Sequence, residues 1–410
     1  MNGAGKKLVL FTAEFPFGNK SETFLETEIP FLAKYFDQIT IVPSHASTSI
    51  RDLPKNIIIN RALADADYSR SEKIKILFAN LFLVIRILFS ECKIKGFGTI
   101  ITNIKHYFDT IGMQLIKADI ISGMHKYKNR EMVMYDYWFQ NSTLALAVLK
   151  EKNIIRNFIS RGHGYDIYDE RNLPVGIMFR EWIMQRIHAV FIVSQHGVDY
   201  FSNQLRTDSL RNKVKLSRLG VSKPHKRPMQ TFGEKKMIVS CSSLLPFKQV
   251  ERIPLALAKC KSPIHWIHFG DGITRNEVEK NSILLPKYIT FELKGHMNNE
   301  EIIHFYQNHS VNLFISLSTS EGLPVSMMEA QSFGIPILAY PIGGIPELVI
   351  PNLTGFLLEE NFTDEEICQR INEMLSYNFD RNQIVDYFNR NFNAEVNYTN
   401  FIHELCSSEE

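Results

Sequence analysis

The sequence predicts an α/β protein made of two doubly wound, Rossmann-like domains. The chain has 410 residues, which exceeds the roughly 100–200 residues that one core usually serves. Strand-like apolar runs alternate with helix-sized segments along both halves, as in parallel sheets covered by helices. A polar stretch with two prolines, residues 222–228, separates the halves. We therefore expect one domain over residues 1–222 and another over residues 223–390.

Short apolar runs predict the strands of each domain. In the first domain they are residues 7–12, 39–42, 57–59, 132–135, 158–160 and 190–193. In the second they are residues 237–241, 265–269, 289–291, 313–317 and 335–339. The spacing of Phe24, Ile29, Phe31 and Leu32 predicts a helix over 22–34. Each half thus opens with a strand, a loop and a helix.

Composition excludes several classes of protein. With 45% hydrophobic and 22% charged residues, the chain is neither disordered nor fibrous. Its five cysteines are odd in number and share no C-x-x-C spacing, so they predict reduced core thiols rather than disulfides or a zinc site. The first residues lack a signal-peptide pattern. We expect a cytoplasmic protein that needs neither a metal nor another cofactor.

Charge is distributed unevenly along the chain. Residues 1–225 hold 31 Lys and Arg against 21 Asp and Glu, a net +10, whereas residues 226–410 hold 15 against 23, a net −8. The sum is the overall +2. The two halves are therefore expected to meet different partners, with no nucleic acid among them.

Residues 74–89 form the most apolar stretch of the chain, IKILFANLFLVIRILF. The stretch is shorter than the about 20 residues that span a bilayer, and Arg86 interrupts it. It is flanked by Lys73, Lys75, Lys93 and Lys95. This pattern suits a helix lying on an anionic membrane surface. A helix buried in the core or between the domains is the other interpretation, and both stay open.

The segment STSEGLPVSMMEAQSFGIPILAYPIGGIPE, residues 318–347, is the most informative. A strand runs into a turn holding Glu321, and a helix is expected to open at Pro324, with Glu329 about a turn and a half inside. The first amides of this helix, near residues 323–326, favour an anion such as phosphate. Carboxylates on either side accept hydrogen bonds from hydroxyls. A nucleotide-sugar, with polyols at both ends of a diphosphate, fits this pattern.

The same residues carry a family resemblance. Glu321 and Glu329, with Gly322 and Pro324 between them, precede Gly334, Pro336, Gly343, Gly344 and Glu347. This order resembles the donor site of glycosyltransferase family 4. The resemblance implies the GT-B fold, in which two Rossmann-like domains face each other across a cleft. It also implies retention of the anomeric configuration, and a final helix, about residues 390–410, that packs back on the first domain.

The resemblance assigns roles in donor binding. Glu321 would bind sugar hydroxyls, Glu329 the ribose, and the backbone at Gly322, Leu323, Pro324 and Val325 the diphosphate or sugar. Lys248 resembles the lysine of the family's phosphate-binding loop, but Ser243 stands at the family's arginine and Gln249 at its glycine. Arg161 would compensate for the missing arginine. The remaining donor-binding residues would be Gly270, Gly272, Gly295 and His296, the last two lining the nucleobase pocket.

Residues of the first domain are expected on the acceptor side. Glycines on both sides of His163 leave its imidazole accessible, and the resemblance puts a similar histidine beside the donor sugar. The acceptor-side residues are Gly18, Glu22, Arg161, His163 and Asp166. The catalytic residues are His163, Glu321 and Lys248. No metal is needed where a lysine and helix amides meet the leaving diphosphate.

We therefore predict a retaining glycosyltransferase that uses a nucleotide-sugar donor. Its acceptor would be a saccharide, lipid-linked in bacterial cell-surface polysaccharide assembly, with the protein in the cytoplasm or at the inner face of the membrane. A soluble enzyme of the sucrose- or trehalose-synthase or sugar-nucleotide epimerase type is an alternative. A catalytically silent GT-B binding protein is another. The pattern does not distinguish UDP, GDP and ADP, or the sugars they carry.

Overall fold

The computed structural model describes residues 6–18, 22–124, 132–224, 226, 228 and 233–407. It divides the chain into two compact units, the first made of residues 1–218 and 398–410 and the second of residues 219–397. The last helix therefore contributes residues from Tyr398 onward to the first unit. Of the predicted linker, residues 225 and 227 lie outside the described part of the chain.

The first unit is built on a seven-stranded parallel sheet. Its strands are β1 (Lys7–Thr12), β2 (Gln38–Pro43), β3 (Ile57–Ile59), β4 (Met132–Asp136), β5 (Ile159–Gly162), β6 (Ala189–Ile192) and β7 (Val214–Leu216), in the order β3-β2-β1-β4-β5-β6-β7. Its helices are α1 (Phe24–Tyr35), α2 (Arg70–Ala79), α3 (Leu81–Lys95), α4 (Phe97–Thr102), α5 (Ile104–Gly123), α6 (Thr143–Glu151), α7 (Gly164–Ile167), α8 (Arg180–Arg186), α9 (Gln195–Asn203) and α10 (Asp208–Arg211).

The second unit has a six-stranded parallel sheet. Its strands are β8 (Lys236–Cys241), β9 (Ile264–Phe269), β10 (Ile289–Leu293), β11 (Leu313–Ser316), β12 (Ile337–Ala339) and β13 (Gly355–Leu357), in the order β10-β9-β8-β11-β12-β13. Its helices are α11 (Arg252–Leu257), α12 (Arg275–Ser282), α13 (Asn299–Asn308), α14 (Val325–Ser332), α15 (Ile345–Leu348), α16 (Asp364–Ser376) and α17 (Arg381–Asn391), followed by α18 (Ala394–Ser407). The predicted α/β class with two Rossmann-like domains is confirmed.

Both faces of the first sheet are covered, which is why its strands read as continuous apolar runs. One face packs against α3, α5, α6 and α8 through residues such as Val84 and Ile111. The other packs against α1 and α18, where Leu32 and Phe401 are buried. Parallel strands that are buried in this way end together at one edge, where the loops that follow them can carry a site.

The apolar stretch over 74–89 is two helices rather than one. The α2 helix ends and α3 begins at Asn80, whose backbone is not helical (φ −118°, ψ 25°). The Asn80 side chain donates to the Ile76 carbonyl at 2.9 Å. A side-chain amide competes in this way with the helix's own hydrogen bonds. Among the described residues, no helix combines the length and apolar character needed to cross a membrane.

Candidate active site

In the second unit, the predicted donor residues gather where β11 and β8 end. The helix after β11 begins at Val325, one residue later than predicted, because Pro324 is extended (φ −73°, ψ 115°) and forms the N-cap. Leu323 is buried beneath the turn, whereas Gly322 is half-buried. The first amides of α14 have no partner within the helix, so this end carries partial positive charge.

Lys248 and Glu321 form a salt bridge between these two loops. Lys248 ends the short 3₁₀ turn Pro246–Lys248 that follows β8, and its ammonium donates to Glu321 Oε1. Both side chains are mostly buried. Two residues that are 73 positions apart in sequence, and that were predicted to touch one ligand, therefore lie side by side.

The loop around Lys248 also accommodates its two departures from the family pattern. Gln249 has a left-handed backbone (φ 50°), which explains why a glycine suits this position. Ser243 is exposed on the same loop and offers a hydroxyl at the position where the resemblance implies an arginine. Lys248 is therefore the cation that this loop itself provides near α14.

Glu329 lies inside the α14 helix and is only 6% exposed. Its Oε1 accepts a hydrogen bond of 2.5 Å from the Asn299 side chain. Burial raises the pKa of Glu329 to about 7, and the Asn299 hydrogen bond partly opposes that increase. A carboxyl group with one polar partner and a raised pKa has capacity for further hydrogen bonds.

Glycines bring the neighbouring loops against this site. Gly343 has φ +59°, and a Cβ there would lie 2.0 Å from the Glu321 carbonyl oxygen. Gly344 donates to the Gly322 carbonyl at 2.7 Å. Only a residue without a side chain permits such an approach. The predicted loop from Glu321 to Val325 is thus fixed by the turn that precedes α15.

The predicted nucleobase loops pair with each other. Gly270 donates to the Gly295 carbonyl at 2.8 Å. A Cβ on Gly270 (φ +142°) would lie 1.8 Å from the Ser242 carbonyl, and Gly272 similarly approaches Leu244. His296 follows as an exposed side chain. These glycines therefore let the loops after β8, β9 and β10 pack closely.

In the first unit, His163 lies in an aromatic box at the end of β5. Its ring centroid is 4.4 Å from that of Trp138, 4.8 Å from that of Tyr137 and 5.8 Å from that of Phe24. The side chain is 6% exposed, and neither ring nitrogen has a hydrogen-bond partner. Burial, with a smaller effect of Arg161, holds its pKa well below the usual range. The imidazole is therefore neutral, and its two nitrogens are buried without a protein partner, so the ring is enclosed by aromatic side chains rather than accessible as the flanking glycines predicted.

Asp166 holds the backbone of this histidine. The buried carboxylate accepts from the His163 amide at 2.5 Å and from the Phe139 amide at 2.6 Å. Burial raises the Asp166 pKa to about 8, which those amides partly counteract. The structure therefore gives Asp166 a positioning role and not the predicted contact with an acceptor.

Arg161 has a structural role, in place of the predicted compensation for the missing cation. Its side chain is fully buried. The guanidinium donates to the Tyr135 hydroxyl at 2.9 Å, lies 3.5 Å from the Glu28 carboxylate and stacks 4.1 Å from the Phe401 ring centroid. A buried charge held by an acid, a hydroxyl and an aromatic ring in this way joins β5 to α1 and α18.

Glu22 and Gly18 shape the loop after β1. The Glu22 carboxylate is 4% exposed and accepts hydrogen bonds of 2.6–2.9 Å from the amides of Ala13, Glu14 and Phe15 and from the Trp138 indole. Its oxygens are thus used inside the unit, which corrects the expectation that it faces an acceptor. Gly18 has φ +66° and remains half-buried. Residue 21, in the same predicted loop, lies outside the described residues.

Sequence reasoning did not identify Phe24, Tyr137, Trp138 or Asn299 as residues of the site. The run YWFQ directly after a buried strand was the available signal for the aromatic box. For Asn299, the signal was the pairing of Asn298 with Glu301, a capping box that begins α13. Within the described residues, no group of three His, Cys, Asp or Glu side chains could hold a metal.

Part of the chain matches a known protein family. Residues 222–390 match the family model "Glycosyl transferases group 1". An uncharacterized glycosyltransferase of Methanocaldococcus jannaschii is 24% identical over 266 residues, which cover 65% of this chain and 69% of that protein. The O-antigen biosynthesis glycosyltransferase WbnH of Escherichia coli is 34% identical over 120 residues, covering 29% of this chain and 32% of the relative.

A solved structure shares the fold over nearly the whole chain. HepE of Anabaena, in complex with UDP and glucose, superposes with a TM-score of 0.63 at 16% identity, covering 97% of this chain and 99% of that one. At this identity the likeness concerns the fold alone. The chain therefore has the GT-B fold, and the match over residues 222–390 together with the related sequences makes it a glycosyltransferase.

Proposed function

We propose that the second unit binds a nucleoside diphosphate sugar as the donor. The observation that carries the proposal is the Lys248–Glu321 salt bridge at the amide-rich start of α14, with Glu329 buried further along the helix. Lys248 and the amides neutralise the leaving diphosphate, Glu321 accepts from sugar hydroxyls, and Glu329 accepts from the ribose. The complex of HepE with UDP and glucose, a protein of the same fold, supports this choice of ligand.

His163 contacts ligand hydroxyls on the first unit. Its nitrogens have no protein partner, and its neutral ring can donate from one and accept at the other. Asp166 keeps the backbone of this residue in place through the 2.5 Å bond to its amide. We assign the imidazole a part in stabilising the transition state, where an oxocarbenium-like centre develops.

Transfer proceeds with retention at the anomeric carbon and without a metal. The family resemblance supports retention by front-face attack, in which the leaving phosphate takes the acceptor proton. The acceptor is a saccharide, lipid-linked in cell-surface polysaccharide assembly, as the similarity to an O-antigen biosynthesis enzyme suggests. Such an acceptor places the protein in the cytoplasm at the inner face of the membrane.

A thermal-shift screen against UDP, GDP, ADP and their sugars tests the donor. A ligand that binds only the folded protein raises the free energy of unfolding by RT ln(1 + [L]/Kd). We expect one nucleoside diphosphate to raise Tm, with Lys248→Ala and Glu329→Ala weakening the shift. His163→Ala should leave this shift intact and lower turnover by about 10²-fold or more. Equal loss of diphosphate binding in all three variants would contradict the assigned roles.

Product analysis tests the acceptor and the stereochemistry. Incubation of the identified donor with lipid-linked saccharides should yield a product with the anomeric configuration of the donor, read by NMR coupling constants, and EDTA should leave the rate unchanged. An inverted product would overturn retention. Free disaccharide or epimerised donor formed without a lipid acceptor would instead support the soluble enzyme classes.

A further inference from the structure

The first unit exposes a cluster of large apolar side chains on the helices between β3 and β4. Phe78 is 73% exposed, Phe82 76% and Phe97 71%. The cluster also includes seven other exposed side chains: Ile74, Leu81, Ile85, Phe89, Ile101, Ile104 and Phe108. So many exposed large apolar side chains on successive helices mark an interaction site. We call these ten residues the helical apolar surface.

Helix α3 shows that this surface is a face of the fold and not a scatter of residues. Its inward side buries Leu83, Val84, Ile87 and Glu91. The exposed residues Leu81, Phe82, Ile85 and Phe89 recur every three or four positions on the opposite side. The helix is thus apolar on two faces, and only one of them is used inside the unit.

Adjacent helices extend the same surface. The close approach of α2 to α5 brings Gly112 against the Lys73 and Leu77 side chains. This packing uses one side of α2 and leaves Ile74 and Phe78 exposed on another. The N-terminal part of α5 adds Ile104 and Phe108. The surface therefore spans residues 74–108, well beyond the 74–89 stretch that the sequence marked.

Basic side chains accompany the apolar ones. Residues 70–109 contain seven Lys and Arg against three Asp and Glu, a net +4, and Glu91 among the acids is buried. Lys75 is 71% exposed even though it pairs with Glu72. The Lys93 ammonium lies 4.5 Å from the Phe89 ring centroid. An ammonium over an aromatic ring makes a cation–π contact, so this positive charge lies directly beside an exposed apolar side chain.

We propose that the helical apolar surface docks the protein on an anionic lipid bilayer. Large aromatic and aliphatic side chains enter the boundary between headgroups and acyl chains, while lysines and arginines meet anionic headgroups. Lys73, Arg86 and Lys95 each pair with an acid. The net positive charge of residues 70–109 still favours this occupant over a neutral protein surface. The inference rests on the proposed function in one respect: docking on the bilayer would bring the donor site to a lipid-linked acceptor.

Sedimentation with liposomes tests the surface on the full-length protein. The wild type should sediment with vesicles of phosphatidylglycerol and phosphatidylethanolamine, and much less with phosphatidylcholine alone or at high salt. Phe82→Ser with Phe89→Ser should weaken partitioning at least about tenfold, because each removes buried apolar area from the bound state. Both side chains are exposed, so folding should be unaffected.

A matched control uses two exposed apolar residues of the second unit. Ile283 and Leu284 are 79% and 64% exposed, and Ile283→Ser with Leu284→Ser should sediment with vesicles like the wild type. Lack of vesicle binding by the wild type would overturn the proposal. So would a dimer in analytical ultracentrifugation that the Phe82 and Phe89 changes dissociate, since a second copy would then be the occupant.

Nucleotide binding without vesicles separates this proposal from the proposed function. The Phe82→Ser and Phe89→Ser variant should keep the thermal shift with the nucleoside diphosphate. If the wild type binds nucleotide but no vesicles, only the docking surface fails. If it binds vesicles but no nucleotide or nucleotide-sugar, the donor assignment fails while the docking surface stands.

Discussion

Arg161 shows how a residue in a motif can serve the core. It precedes His163 in the run RGHGYD, and its exposure could not be deduced from that position. The alternation of side chains in β5 turns Arg161 toward α1 and α18, where Glu28 and Phe401 receive it. The structural role of Arg161 could not be predicted because its buried acidic partner, Glu28 on α1, lies 133 positions earlier in the chain.

Replacing Arg161 by alanine should therefore affect stability first. Glu28 would be left buried beside Tyr135 without its cation, a change that costs about 3–5 kcal/mol. Denaturant unfolding followed by circular dichroism measures this loss. Arg161→Met combined with Glu28→Leu should recover most of it. If Arg161→Ala instead kept full stability and lost only diphosphate affinity, the structural role would be refuted.

Glu329 illustrates a conflict between stability and ligand binding. Its pKa is raised from 4.5 to about 7 in the folded chain by burial. The folded protein then holds a proton that the unfolded chain releases, so stability is lost as pH rises from about 4.5 to 7. Above pH 7 the full penalty is present, on the order of 3 kcal/mol for this difference in pKa.

Glu329→Gln should therefore stabilise the protein at pH 8 and change little at pH 4.5. The glutamine keeps an oxygen for Asn299 but carries no buried charge. Its Tm relative to the wild type should increase over that pH interval, while its affinity for the nucleoside diphosphate decreases. A Tm difference that is constant with pH would show that Glu329 does not titrate there.

At the scale of elements, the α14 helix and its preceding turn depend on a glycine in another loop. The strand, turn and helix were predictable because apolar periodicity, a proline and flanking glycines agree within one short segment. The contact between this turn and Gly343 was not predictable, since it joins loops that become adjacent only when β11 and β12 pair. Edge strands β7 and β13 were also not predicted, because a lysine interrupts the first (VKL) and a glycine opens the second (GFL), whereas the equally short β3 is the continuous apolar run III.

Gly343→Ala should disturb the donor loop. The added Cβ would lie 2.0 Å from the Glu321 carbonyl and would require a positive φ, a combination that costs about 1–3 kcal/mol. We expect a lower Tm and weaker diphosphate binding. Gly98→Ala is the control, since nothing lies within 4 Å of its Cβ position. Equal behaviour of the two variants would show that the loop tolerates the displacement.

The whole molecule consists of two units, each with a core of its own. This division was foreseeable from length and from the alternation of strands and helices. The return of α18 to the first unit was expected only from the family resemblance, because an amphipathic helix does not reveal by itself which sheet it covers. The second unit carries the acidic half of the chain and the proposed donor residues.

Two cores predict two unfolding transitions in differential scanning calorimetry. A nucleoside diphosphate that binds the second unit should move one transition upward and leave the other nearly unchanged. Lys248→Ala should reduce the shift of that same transition. One cooperative transition that moves as a whole would show that the units unfold together and that this prediction fails.

The salt bridge between Lys248 and Glu321 also affects which ligands can bind between these two side chains. A molecule that offers only an anion would pair with the Lys248 ammonium and leave the Glu321 carboxylate without a partner. A neutral sugar would bind the carboxylate and leave the ammonium without a partner. In either case one charge is poorly solvated. A compound with both groups joined replaces both halves of the bond at once. A fragment that supplies only one of the two groups must break a contact that it cannot fully restore, and the proposed donor site should therefore favour an intact nucleotide-sugar over its fragments.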